Sequence, residues 1–185
     1  MIASRLAPLL APVLVLFAAA EPALANCSDV AQPGVYWRRC ALDGQDLRDA
    51  DLTGATLRDS TFNRANLSGA NLTGIDGRRA RFVSTNMRGT VLDEAQLARA
   101  EFTNADLSGA SLRKADLTMA RMFRANLRNA DFTGARVSGL DLHQAQLGGA
   151  TWIDGVTVCT EDSIGTCHPM PRAGTPEMTD AEPSG

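Results

Sequence analysis

Between Leu42 and Trp152 an apolar side chain recurs at every fifth residue, and Gly77 is the one interruption. Leu fills most of these positions. Phe62, Phe82, Phe102, Phe132, Met87, Met122, Val137 and Trp152 take the others. Two residues before each apolar position the chain carries Ala in sixteen of 23 cases. The exceptions are Cys40, Gln45, Ser60, Ile75, Thr85, Thr90 and Leu140. The residue between the pair is often Asp or Asn, as at Asp46, Asp51, Asn66, Asn71, Asp106, Asp116 and Asn126. The register runs from end to end without an inserted or deleted residue.

Neither common secondary structure can bury such a pattern. Apolar residues of an amphipathic helix recur at a mean of ~3.6 residues, and those of a half-buried strand alternate. A strict five-residue repeat rotates by ~140° per step around an α-helix, so no face collects it. A chain that turns a corner every five residues does collect it. The small residue and the larger apolar one, two positions apart, then both point inward on each side. Four sides close a coil of ~20 residues, and at the ~4.8 Å spacing of neighbouring strands the whole repeat is ~28 Å long. The narrow interior explains the alanines, because Leu there would overpack at about 1–3 kcal/mol. Each central Leu or Phe contributes about 1.5–3 kcal/mol on burial. Gly, Ser and Thr suit the corners, and Asp or Asn can bond to nearby backbone there.

Repeats of an internal unit mark solenoids. The units Ala50-Asp51-Leu52-Thr53-Gly54, Ala65-Asn66-Leu67-Ser68-Gly69 and Ala105-Asp106-Leu107-Ser108-Gly109 make an A(D/N)Lxx pattern that resembles the pentapeptide-repeat family. The resemblance implies an all-β fold, a right-handed quadrilateral parallel β-helix of about six coils over residues 41–152. It also implies a binding or structural role rather than catalysis. Some members of the family resemble B-form DNA in width and charge and bind gyrase. That role goes with a cytosolic location, a strongly acidic surface and a dimerising C-terminal element.

Charge and chemistry narrow the picture. The chain has a net charge of −3, but residues 41–152 carry 14 basic and 13 acidic side chains, so the body is not acidic. The acidic excess sits in residues 153–185. No nucleic-acid partner is expected from so balanced a body. The sequence contains no Gly-x-Ser-x-Gly, no phosphate-binding Gly-rich loop and no dinucleotide fingerprint. His143 falls on an outward position. Cys159, Cys167 and His168 are better read as a disulfide beside a histidine than as a metal site. No catalytic residue, metal or cofactor is therefore assigned, and the expectation is that the protein is not an enzyme.

A coil of this length stacks Leu42, Phe62, Phe82, Phe102, Met122 and Leu142 in one column, which predicts a buried aromatic ladder; Trp152 is the last core residue. At the interruption, Ile75 is expected to fill the space that Gly77 leaves. The same stacking gathers Arg58, Arg78, Arg79, Arg81 and Arg99 into a basic cluster, the candidate contact for an anionic partner, protein or glycan.

The ends have their own signatures. Arg5, the apolar run from Leu6 to Ala20 and the site Ala23-Leu24-Ala25 read as a secretory signal over residues 1–25, cleaved before Asn26. A periplasmic or secreted location follows, with no membrane span after cleavage. Leu24-Ala25-Asn26-Cys27 also resembles a lipid-attachment site, although Asn26 is a poor residue just before the cysteine. The four cysteines allow three pairings, and an even number in an exported chain favours disulfides. Chain proximity favours Cys27–Cys40 and Cys159–Cys167, which would close an N-terminal cap over residues 26–40 and a C-terminal cap over 153–168. Trp152-Ile153-Asp154-Gly155, followed by Cys159 and Ser163-Ile164-Gly165-Thr166-Cys167, resembles the ending of exported pentapeptide-repeat proteins. Residues 169–185, rich in Pro, Gly and acidic groups, read as a disordered tail. The reading is of a non-enzymatic exported scaffold that presents a rigid surface to a protein or envelope partner, with self-association as a further option.

The register makes a mutational prediction. Ala110→Leu or Leu107→Asp should destabilise strongly, by roughly 1–3 kcal/mol or more, while the same changes at Ser108 or Arg128 should be mild. Equal losses at both classes in chemical denaturation would contradict the assigned register.

Overall fold

The structure, a computed structural model, describes residues 26–170. The expected signal and cleavage site, and residues 171–185 of the expected tail, lie outside the described residues.

The chain winds in coils of 20 residues. Single-residue parallel bridges join each coil to the next along one register: Tyr36 to Thr56, Thr56 to Asp76, Asp76 to Gln96, Gln96 to Asp116 and Asp116 to Arg136. Three further columns begin at Ala41, Asp46 and Asp51. Each coil therefore has four bridged sides of one pentad. Residues just before and at the apolar position bond to the neighbouring coils, as in Thr61 N–H to Cys40 C=O at 2.9 Å and Phe62 N–H to Arg81 C=O at 2.7 Å. Buried backbone must be paired, and here it is paired with the coil above and the coil below.

The remaining residues of each pentad make the corner. The amide of Ala55 donates to Leu52 C=O at 3.0 Å across Thr53 and Gly54, and Gly54 has φ +66°. A left-handed residue at the second central position defines a type II turn. Every residue at this position from Gly34 to Gly149 has positive φ, but fourteen of them are not glycine, Arg39 (59°), Arg79 (59°) and Arg99 (60°) among them. An L-residue in that region costs about 1–2 kcal/mol. The inter-coil ladder imposes the turn whether or not the residue favours it.

The interior follows the sequence pattern. Phe62, Phe82 and Phe102 are completely buried and stack at 5.2 and 5.0 Å between ring centroids, with interplanar angles of 12° and 9°. Met122 continues the column and Leu42 precedes it, both buried, while Leu142 is half-buried. Phe132 meets Trp152 at 5.5 Å, tilted by 49°. Where a hydroxyl replaces the inward Ala, it finds a carbonyl of the preceding coil. Thr85 Oγ1 donates to Phe62 C=O at 2.7 Å, Thr90 Oγ1 to Leu67 C=O at 3.0 Å, and Ser60 Oγ to Trp37 C=O. These bonds offset the burial of the polar group.

At the interruption, Ile75 is fully buried. A Cβ on Gly77 would lie 3.2 Å from Ile75 Cδ1 and 2.9 Å from Leu97 Cδ2. The pentad has exchanged its large and small residues. Ser108, expected outside, is half-buried, and its Oγ is out of solvent with no hydrogen-bond partner. Arg128 is exposed but reaches Glu161 of the C-terminal cap at 3.2 Å.

Both ends carry the expected disulfides, Cys27–Cys40 and Cys159–Cys167, and no cysteine is left free. Coil conformation begins earlier than residue 41. Gly34 already has φ +71°, Tyr36 is bridged to Thr56, and Val35 and Trp37 are buried. Residues 27–31 line a cavity of about 360 Å³ at this end together with Trp37, Leu42 and Gln45. At the other end the chain reverses. Antiparallel bridges join Gln146 to Ile164 and Thr151 to Val158, and Cys159 is bridged to Pro169. The ordered cap thus extends to Met170, whose amide bonds to Val158 C=O at 2.9 Å. It covers two sides of the last coil. On the other two sides Val137, Leu140 and Leu142 are half-buried. Leu140 occupies an inward small position there, where no further coil lies against it.

The exchange at Ile75 and Gly77 predicts non-additive mutants. Gly77→Leu alone should cost about 1–3 kcal/mol by overpacking, and Ile75→Ala alone about 2–5 kcal/mol. The double variant, which restores Ala followed by Leu, should lose at least ~1 kcal/mol less than the sum. Strict additivity in denaturant titrations of the disulfide-bonded protein would show that the two side chains do not share that space.

Candidate partner-binding face

One side of the solenoid is built from residues 36–40, 56–60, 76–80, 96–100, 116–120 and 136–140, as the bridges from Tyr36 to Arg136 establish. Both turn positions of each pentad project outward at its corner. The 20-residue register therefore stacks Arg38, Arg58 and Arg78 in one column, and Arg39, Asp59, Arg79 and Arg99 in the next. Of the five arginines singled out by the sequence, Arg58, Arg78, Arg79 and Arg99 come together on this side. Arg81 lies around the corner, in the column of Thr61, Glu101 and Arg121, and pairs with Glu101 at 3.2 Å.

Arg38 and Arg39 belong to the same side and were missed. The sequence places them in a cap over residues 26–40, yet stepping back one coil from Arg58 and Asp59 leads directly to them. Trp37 gives a matching signal, because it is the buried apolar residue one coil before Leu57.

The arginines fall into two groups. Arg58 and Arg78 share Asp76, at 3.0 and 2.8 Å. Arg79 holds Asp59 at 2.6 Å, with its Nε and one terminal nitrogen donating to the two carboxylate oxygens. Arg38, Arg39 and Arg99 form no ion pair among the described residues. Arg38 is half-buried, and its Nε is out of solvent with no hydrogen-bond partner. Over the first four layers of this side six guanidiniums face the carboxylates of Asp59 and Asp76 alone, a balance of +4. Lower down, Asp116 and Arg136 cancel at 2.6 Å. Exposed pairs contribute little to stability, about 0–1 kcal/mol, so the clustering is a property of the surface field more than of the fold.

The ion pairs also set protonation. The Arg78 side chain bonded to Asp76 holds that carboxyl below the ordinary carboxylate range, and Arg79 does the same for Asp59. Elsewhere on the surface, Phe123 and His143 stack at 5.7 Å, and the Arg124 guanidinium lies 5.0 Å from the Phe123 centroid. His143, alone in its sequence context, is thus a partner of an outward aromatic. Among the described residues no group of His, Cys, Asp and Glu is placed to hold a metal, and no helix is long and apolar enough to cross a membrane.

Stacked 20-residue coils joined by parallel bridges, with a pentad to each side, define a β-solenoid built from five-residue units. The chain belongs to the pentapeptide repeat family: the pentapeptide repeat region model matches residues 55–124 and the pentapeptide repeats (8 copies) model matches 120–151, together more than half of the chain. Among solved structures, HetL is similar. It is a pentapeptide repeat protein involved in heterocyst differentiation regulation from the cyanobacterium Nostoc sp. strain PCC 7120, with 26% identity and a TM-score of 0.51. The match covers 66% of this chain and 63% of HetL, so the chain spans less than two thirds of that relative's length. A pentapeptide repeat protein of the Arabidopsis thaliana thylakoid lumen is 23% identical at a TM-score of 0.41, covering 70% of this chain and 84% of its own. QnrB1, a plasmid-mediated fluoroquinolone resistance protein, is 20% identical at 0.41, covering 64% and 63%. No curated protein matches the sequence.

The paired group gives a pH prediction. A carboxyl whose folded pKa is depressed contributes stability above its unfolded value, and that contribution fades as pH falls through the folded value. Asp76→Asn should therefore lower stability by about 1 kcal/mol at neutral pH. The gap from the parent should close as pH falls below Asp76's ordinary value of 3.8. A gap of constant size across acid melts would show that the Arg58–Asp76–Arg78 cluster contributes nothing.

Proposed function

We propose that this protein is a non-enzymatic, exported binding scaffold: a right-handed, four-sided β-helix of about six coils that presents its arginine side to a protein or envelope partner. The observation that carries the reading is the concentration of positive charge on one side of a body that is otherwise close to neutral, with Arg38, Arg39 and Arg99 lacking any carboxylate of their own among the described residues. A stack in which every coil is bonded to its neighbours holds these groups at fixed intervals, so little ordering entropy is lost when they are engaged. HetL, a similar protein, takes part in regulating heterocyst differentiation, a role suited to a module that acts by contact.

Export is supported by the signal-like residues 1–25 and by two disulfides that consume all four cysteines, a usage expected of oxidising compartments. The Cys27–Cys40 bond supports this reading over lipid attachment at Cys27. A gyrase-binding role of the DNA-like kind calls for an acidic surface, and the most charged side here is basic.

Cross-linking in the envelope of the native host tests the reading. The recovered protein should begin at Asn26, and the parent should capture a reproducible partner that Arg39→Gly/Arg99→Gly loses. Capture of the same partner by that variant, or recovery from the cytosol with residues 1–25 intact, would count against it.

A further inference from the structure

Within the binding reading just given, the arrangement of paired and unpaired arginines narrows the partner. We infer that the arginine side receives an extended, acidic stretch of polypeptide lying along the solenoid axis, with carboxylates four residues apart and an apolar side chain two residues further on.

The open guanidiniums are not contiguous. Arg39 lies in the first coil and Arg99 in the same column three coils later. Asp59 and Arg79 lie between them, already bonded to each other at 2.6 Å. The column beside it repeats the arrangement, with Arg38 open and Arg58 and Arg78 closed on Asp76. A polymer with a charge on every unit, such as polyphosphate or a sulfated glycan, would place anions against Asp59 and Asp76 as well as against the arginines. A chain whose carboxylates are discrete meets the open guanidiniums and crosses the neutralised pairs without that repulsion.

The spacing suits an extended peptide. Three coils at ~4.8 Å separate Arg39 from Arg99 by ~14 Å, and four residues of a strand, whose alternate side chains share a face, advance ~13–14 Å. Immediately after Arg99 the column continues with Met119, which is 57% exposed and packs its Sδ over Gly139. An apolar side chain two residues beyond the second carboxylate, on the same face of the strand, would land there. Arg38 adds a second donor group beside Arg39. A half-buried guanidinium gains from a carboxylate because charge-assisted bonds are about twice as strong as neutral ones.

The left-handed corner makes a clean test available. Arg39 and Arg99 have φ of 59° and 60°, a conformation glycine adopts without strain. Arg39→Gly/Arg99→Gly thus removes both guanidiniums while easing the backbone, and its melting temperature should equal or exceed the parent's. The measurement is fluorescence anisotropy with the disulfide-bonded protein and a labelled peptide carrying Glu at i and i+4 and Leu at i+6, set in Ser and Thr and made in both chain directions. The comparison peptide has the same composition with its glutamates adjacent. The spaced peptide, in one direction, should bind at least about tenfold more tightly than the comparison, weaken as salt is added, and lose about tenfold or more on Arg39→Gly/Arg99→Gly, while Arg113→Ala on another side leaves it unchanged. Equal binding of the two peptides, unchanged binding by the double variant, or tighter binding of polyphosphate or heparin than of the spaced peptide would each overturn the inference. In any of these cases, host-partner capture that still depends on Arg39 and Arg99 would leave the scaffold reading standing. Capture independent of them would remove both.

Discussion

The molecule depends on keeping one register between successive coils. Each pentad bonds to the pentad a full coil before it and a full coil after it, so the backbone of an interior side has no other partner. A single inserted residue would move every later Ala and Leu off its inward position and leave amides facing the wrong carbonyls. The register therefore tolerates unfavourable local choices more readily than a slip. Fourteen corners accept a left-handed residue other than glycine, and the pentad at Ile75 and Gly77 exchanges its large and small members without altering its length. Ser60, Thr85 and Thr90 replace inward alanines and are tolerated because each hydroxyl reaches a carbonyl one coil away.

The same register turns sequence distance into surface position. Residues a coil apart become neighbours, so pairs such as Arg79 and Asp59, or Arg136 and Asp116, form along the axis instead of between adjacent residues. Arginines dispersed through the first four layers become a patch, and carboxylates on the same side divide that patch into closed and open members. Because the coils cannot shear past one another without losing their bonds, these positions are as fixed as those on a single rigid element. A surface of this kind suits recognition by spacing and charge.

The two ends depart from periodicity for a physical reason. An interior coil has a partner on each side, whereas the first and last coils expose one edge. At the N-terminal end a short segment crosses the opening, tied by Cys27–Cys40. At the C-terminal end the chain folds back antiparallel, tied by Cys159–Cys167 and by the Arg128–Glu161 contact. That cap pairs two sides of the final coil and leaves Val137, Leu140 and Leu142 half-buried on the others. The narrow core of small side chains makes such ties useful, and disulfide closure of loops this short contributes about 2–4 kcal/mol each.

The amino-acid order by itself determined the pentad, its inward residues and the Ile75–Gly77 exchange, because a constant period converts a linear pattern into geometry; with the four-sided coil that the family resemblance implies, it also placed the Phe62–Phe82–Phe102 column. It also led to both disulfides, whose partners are close in the chain. The tertiary structure showed where the coil begins, since Val35 and Trp37 keep the five-residue register but replace the usual Ala and Leu. The reach of the cap to Met170 likewise came from the antiparallel reversal, which has no periodicity to read. Above all, the structure separated Arg38, Arg39 and Arg99 from Arg58, Arg78 and Arg79. Stacking alone places them side by side, but whether a long side chain closes on a carboxylate depends on its rotamer and on the neighbour one coil away, and those are set when the coils pack.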